Sequence, residues 1–380
     1  MRGSRTAASV CAIAMAAALA ACGGGDNGTS SSTGGTTSTG TTGGTSTVAS
    51  QSAATAASLG ATPLSTGSTQ DIYDLTAAIG DSWRLTVDTS NPNAPTFTIT
   101  VQSTQYGLSG TSAAAVTKTV NGDFVSYTGS GLNVTVDTRT KTITGTATVG
   151  GKASTVTGTG YSATDGTKLA GTYAYAGRTT NTDGSSPYLA AGEFNIASDG
   201  ATVTVCENGT FNGTGCTAVG NNVLTTRNLT MAYNATLPGF ELKSSGTRAG
   251  VVRVAAGDRG PVVLIDWFNT TSSPIRTGIL GGVKLATLAG NEFDGSWVCS
   301  DGLTPTVSGT AVTAGGVQYV LDYNKLPVQA TTGYSALGFN GVAAVMSSSA
   351  YVGHFVLPLS ASIALYGKVG TNFLAICARR

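Results

Sequence analysis

One histidine, His354, stands in a chain of 380 residues, and charge is almost as scarce. Zinc sites draw on histidine and on closely spaced cysteine pairs; no Cys-x-x-Cys occurs, so the pattern implies neither a metal nor any other cofactor. Charged residues make up 10% of the sequence, where ordinary soluble domains carry roughly 25%. Twenty basic side chains face nineteen acidic ones, which leaves no electrostatic footprint for nucleic acid. Sustained helical periodicity is missing, as are a phosphate loop and a dinucleotide fingerprint. A Ser-His-Asp hydrolase needs its serine on a strained elbow beside the imidazole. The nearest segment, Gly333-Tyr334-Ser335-Ala336-Leu337-Gly338, lacks the G-x-S-x-G spacing.

Glycine, serine, threonine, alanine and valine fill the space that charge leaves. From about residue 67 the pattern is β. Thr96–Gln102, Leu132–Asp137 and Lys141–Val149 alternate apolar and polar residues between Gly, Asn or Asp turns, the period-2 signature of half-buried antiparallel strands. Asn121-Gly122 between two such runs predicts a tight hairpin. One segment reads differently: Asp71–Ile79, with Ser68 or Thr69 as its cap, predicts a short helix. Gly80-Asp81-Ser82-Trp83, Leu169–Tyr173 and Leu288–Trp297 form a degenerate repeat, each with a glycine and a hydroxyl residue just before an aromatic. The fold class expected is all-β, in two or three antiparallel sandwich or small up-and-down barrel modules. The Gly-x-Trp-like openings resemble those of lipocalins and other small barrels.

The N-terminus carries an address. Arg2 and Arg5 precede an alanine-rich apolar run from Thr6 to Ala21, ending Leu19-Ala20-Ala21-Cys22. A charged start, an apolar stretch and a small-residue cleavage site make a secretory signal, and the run is short of the roughly 20 residues of a membrane-spanning helix. Its last four residues resemble the lipobox of bacterial lipoproteins. That resemblance implies cleavage after Ala21, acylation of Cys22 and of the new amino terminus, and a membrane as partner through the lipid. Gly23, where Asp would favour inner-membrane retention, points to the outer membrane. More broadly, the lipobox, the Gly/Thr tether and runs such as Val262–Asp266 resemble uncharacterised β-rich proteobacterial envelope lipoproteins, which bring no catalytic residues with them.

This gives a signal peptide over 1–21, the lipidated cysteine and a disordered Gly/Ser/Thr-rich tether over 22–66, and β modules over 67–167, 168–287 and 288–380, the last two able to pack together. Of six cysteines, Cys11 leaves with the signal and Cys22 takes the lipid. Cys206, Cys216, Cys299 and Cys377 remain, an even number for an oxidising compartment, with three possible connectivities. We favour Cys206–Cys216, closing a turn-rich loop, and Cys299–Cys377, joining the first and last strands of a closed meander.

Few residues suggest chemistry. Asp266 sits in the otherwise apolar strand Val262–Phe268. With Gly257–Gly260 as a four-residue loop, Arg253 opposes Leu264 and becomes a same-face diagonal neighbour of Asp266, about 7–8 Å away. An ion pair would offset burial of either charge, and the two form a candidate polar anchor at the mouth of an apolar pocket. Separately, a ligand-binding role predicts an apolar cavity lined by residues such as Trp297, Phe339 and Phe355. Glu292, Asp294 and Asp301 are read as turn chemistry. Two function classes emerge: a non-catalytic binding module for a protein or small molecule, or a structural envelope protein without a specific ligand. A secreted hydrolase trails both.

Overall fold

The computed structural model describes residues 44–380 except 112, 221 and 222. The expected signal, the expected lipidation at Cys22 and the start of the expected tether lie outside the described residues. Three closed barrels, each of eight antiparallel strands, make up most of the described chain. The first runs from Gln70–Ala77 to Lys152–Thr159, the second from Gly171–Asn181 to Arg276–Lys284, and the third from Gly295–Cys299 to Phe373–Arg379. Within each, successive strands pair and the last returns to the first. The small hairpin Gly209–Phe211 with Cys216–Ala218 is the one departure from the second barrel's meander.

Strict alternation explains the lumens. In the third barrel Val352, His354 and Val356 face inward, while Phe355 and Leu357 face out and are buried against the second barrel. Ala174, Ala176, Leu264 and Ile279 meet them from the second barrel's outer wall. This accounts for the unbroken apolar runs in its sequence. Thr247–Gly257 and Gly260–Asn269 are buried on both faces, one filling a lumen and the other an inter-barrel seam. The turn Asp258-Arg259 reaches the third barrel, where Asp258 accepts from the Ala361 amide at 2.7 Å and Arg259 donates to the Pro358 carbonyl at 2.9 Å. The first barrel approaches so closely that a Cβ on Gly80 would sit 2.0 Å from the Thr277 hydroxyl, and Gly80 also holds φ at +81°. Only glycine tolerates both conditions.

Four expectations need correction. The tether does not extend to residue 66, because Gly44–Leu59 is a helix. Its buried stripe is Ser52, Thr55, Ala56 and Leu59, spaced i, i+3, i+4, i+7. Alanine gives it helical propensity, and the Ser52 hydroxyl donates to the Ala256 carbonyl at 2.6 Å. Gly60, at φ +60°, ends it with paired bonds from Gly60 to Ala57 and from Ala61 to Ala56, a Schellman stop. The helix expected over Asp71–Ile79 is instead the strand Gln70–Ala77, since Tyr73, Leu75 and Ala77 fill the first lumen. The Gly257–Gly260 loop is tighter than expected: Gly257 pairs with Gly260, leaving two residues in the turn. Likewise Asn121 pairs with Phe124, so Gly122-Asp123 makes that hairpin turn.

Candidate ligand-binding site

All eight strands of the third barrel contribute side chains to a lumen with a cavity of about 320 Å³. At one end Trp297 forms the floor with Phe293, its indole N–H donating to the Phe293 carbonyl at 2.7 Å. Satisfying that N–H from the backbone lets the ring bury without an orphaned donor. Cys299 and Cys377 face each other in the lumen wall and are bonded, joining the first and last strands. Cys206 is bonded to Cys216, which ties the small hairpin to the second barrel. Above the floor the walls are aliphatic and aromatic, among them Val312, Leu321, Val345 and Val356. Polar groups stand toward the other end, where the strands of Ser347 and Lys368 finish and that of His354 begins. Lys368 makes no ion pair among the described residues.

His354 stacks on Tyr366, with ring centroids 5.0 Å apart, and meets Phe373 edge-on. Its Nδ1 is buried without a partner. Burial pushes the imidazole down to about 4, the Lys368 cation adds to this, and Asp301 opposes it. The fold therefore prefers the neutral ring. Its contribution to stability is complete above the unfolded value near 6.5 and is lost as pH falls toward 4. The ring is half-buried, so solvent screening trims the loss to about 1–2 kcal/mol. His354→Phe preserves the stacking and is expected to lose less stability than the parent between pH 7 and 4.5. Urea midpoints for the two proteins at those pH values measure the difference.

The sequence-derived site falls elsewhere. Arg253 and Asp266 point out of the second barrel and are buried against the first, lining neither lumen. They form no direct ion pair. Ser82 of the first barrel stands between them, accepting from Arg253 Nη1 at 2.7 Å and donating to Asp266 Oδ2 at 2.8 Å. Arg253 Nη2 also donates to Gln102 Oε1 and, at 3.1 Å, to the Leu237 carbonyl. Gln102 in turn donates to Asp74, which Arg84 holds in a bidentate pair at 2.8 and 2.9 Å. The result is a polar relay across the seam between two barrels. Burial raises the Asp266 carboxyl well above the usual range, with Asp81 adding to it, and burial lowers Arg253; a guanidinium nonetheless stays charged. Asp266 Oδ1 and Arg253 Nε have no partner.

Trp297 alone of the three ligand candidates reaches a lumen. Phe339 and Phe355, expected beside it, pack between barrels. The carboxylates read as turn chemistry take local roles: Glu292 accepts backbone amides at 289–291, Asp294 that of Gly309, and Asp301 that of Leu303. Sequence reasoning missed His354 and Lys368 as lumen groups. The signal was their shared alternation with Val352 and Val356, and with Ala364 and Tyr366.

Compared with protein-family models, curated proteins and solved structures, the chain matches none. Clues to its function therefore lie in its own lumens. An apolar cup with one cation near its rim can hold an amphiphile.

Proposed function

We propose that this chain is a non-catalytic binding module of the cell envelope, held to the outer membrane by a lipid on Cys22, and that its third barrel carries a small apolar molecule with an anionic head. The observation that carries the reading is the lumen itself. Its half-buried valines and tyrosines are exposed to an internal space of about 320 Å³, within the size range of ligand pockets. A barrel meant only for structure fills that space with side chains, as the first barrel does with Trp83, Leu85, Ile99 and Tyr127. The unpaired Lys368 supports an anionic head and the Trp297 floor an apolar tail.

Calorimetric titration with decane-1-sulfonate, which stays ionised at all working pH values, tests this. Saturable one-site binding, weakened when 1-decanol replaces the sulfonate, is the expected result. No binding of either compound overturns it. The anchor has its own test. Cys22→Ser removes the thiol that takes the lipid, so the variant should shift from the membrane pellet to the soluble envelope fraction. One acyl chain binds a membrane marginally and several bind it firmly, so the shift is expected to be nearly complete. A variant that stays in the pellet after a carbonate wash would rule out lipid anchoring at this residue.

A further inference from the structure

The second barrel also has a hollow end. Its closed half is packed by Tyr173 stacked on Phe194, with centroids 4.8 Å apart, and by Met231, Leu242 and Val252. Its open half is a chamber of about 360 Å³, again reached from all eight strands. This chamber differs in chemistry from the third barrel's lumen. Aromatic rings from Tyr188 and Trp267 line it alongside Glu207, Arg227 and Arg276.

The charges do not cancel. Arg227 is paired with Glu207 at 3.4 Å. Arg248, also lining the chamber, is held by Glu241, whose carboxylate also binds Lys243. Arg276 has no carboxylate among the described residues; it donates Nε to the Thr179 hydroxyl at 2.9 Å and lies 5.6 Å over the Tyr188 ring. One cation thus faces the chamber uncompensated, near the rim where the strand Arg276–Lys284 begins. Deeper in, Tyr175 is buried and its hydroxyl meets no protein partner. Buried hydroxyls nearly always find one, so this group is left to bond whatever fills the chamber. The backbones of Tyr175 and Arg276 are offset along the wall, since Tyr175 pairs with Gly282 and Arg276 with Asn181 six residues further along.

From this geometry we infer a second binding site in the second barrel, for an aromatic carboxylate that carries a hydroxyl at its far end. The carboxylate lies against Arg276, whose planar fork suits it. The ring packs among Tyr188, Trp267 and Leu229, and the distal hydroxyl meets Tyr175. This site is independent of the third barrel's lumen and of the amphiphile proposed for it.

Calorimetry with 4-hydroxycinnamate, cinnamate and 4-hydroxycinnamamide tests each part. Cinnamate, lacking the distal hydroxyl, is expected to bind about 5-fold more weakly, the scale of one neutral hydrogen bond. The uncharged amide should lose about 10-fold or more, the scale of a charge-assisted bond. Tyr175→Phe deletes an atom that bonds nothing in the protein and so should fold. It is expected to bring 4-hydroxycinnamate down to the affinity of cinnamate while leaving cinnamate unchanged. Arg276→Gln should weaken both carboxylates and leave the amide unaffected. Val356→Trp, which blocks the third lumen, should leave all three unchanged. The inference fails if 4-hydroxycinnamate gives no heat, if Tyr175→Phe binds it as the parent does, or if Val356→Trp abolishes its binding.

Discussion

Arg253→Met is expected to cost about 3–5 kcal/mol, the scale found when one member of a buried ionic network is removed. The loss has identifiable parts. Ser82, Gln102 and the Leu237 carbonyl each lose the donor they share, and a buried acceptor left unmatched costs about 1–3 kcal/mol. Arg253→Lys should recover little, because a single ammonium on a flexible stem does not reproduce a planar fork reaching three acceptors. Since this side chain bonds the first barrel to the second, the damage should be directional. Calorimetric unfolding of the parent is expected as one cooperative transition, with a separate transition from the first barrel at lower temperature in the variant. A variant that melts as a single unit at the parent's temperature would show that the relay is not what couples the barrels. Asp266→Asn is the informative partner. Burial raises the Asp266 carboxyl, so stability is greatest below the unfolded value near 3.8 and is lost as pH rises toward the folded one. Removing that ionisation should make Asp266→Asn gain stability relative to the parent as pH increases.

The second large effect is expected from Val356→Trp. Val356 follows His354 by two residues, between the seam residues Phe355 and Leu357, faces the third lumen and is only half-buried there. An indole at this position occupies the ligand's volume from the wall, with Ala343 and Tyr366 as cross-strand neighbours. Decane-1-sulfonate affinity should fall by about 100-fold or more, equivalent to about 2.7 kcal/mol. The fold is expected to survive, because the new ring enters empty space and not packed core. Unchanged affinity would place the amphiphile outside this lumen.

Much of this architecture is legible in the sequence, though unevenly. Period-2 runs such as Leu132–Asp137 form strands because each lines a lumen on one face. The pairing of Arg253 with Leu264 is legible because a glycine-flanked turn sets the register over the next few residues. Gln70–Ala77 misleads because its partners include Lys152–Thr159, so nothing local in the sequence signals the closing strand. The helix Gly44–Leu59 is hidden by its composition: Ser52 and Thr55 occupy buried positions that a hydrophobicity pattern expects to be aliphatic. Asp266 stands out as a charge in an apolar strand, and it is indeed buried beside Arg253, though at a seam and not at a pocket mouth. What covers the outer face of a barrel is another barrel, and no strand pattern says whether a buried face looks into a lumen or onto a neighbour. For the same reason Trp297 and Phe355, alike in sequence context, end in a lumen and in a seam.

In all three barrels the closing pair joins the first strand to the last, and this bears on synthesis. An exported chain crosses the membrane from its N-terminus, so seven strands of the first barrel wait, open along two edges, until residues 152–159 emerge. Open edges are templates for unwanted pairing. Once the eighth strand closes the ring, both edges vanish together, and the chain leaves next to where it entered. The strands of each barrel are contiguous in the sequence, so each ring can close without waiting for the barrel that follows. Three similar sheets can then be made in series on one chain without trading strands.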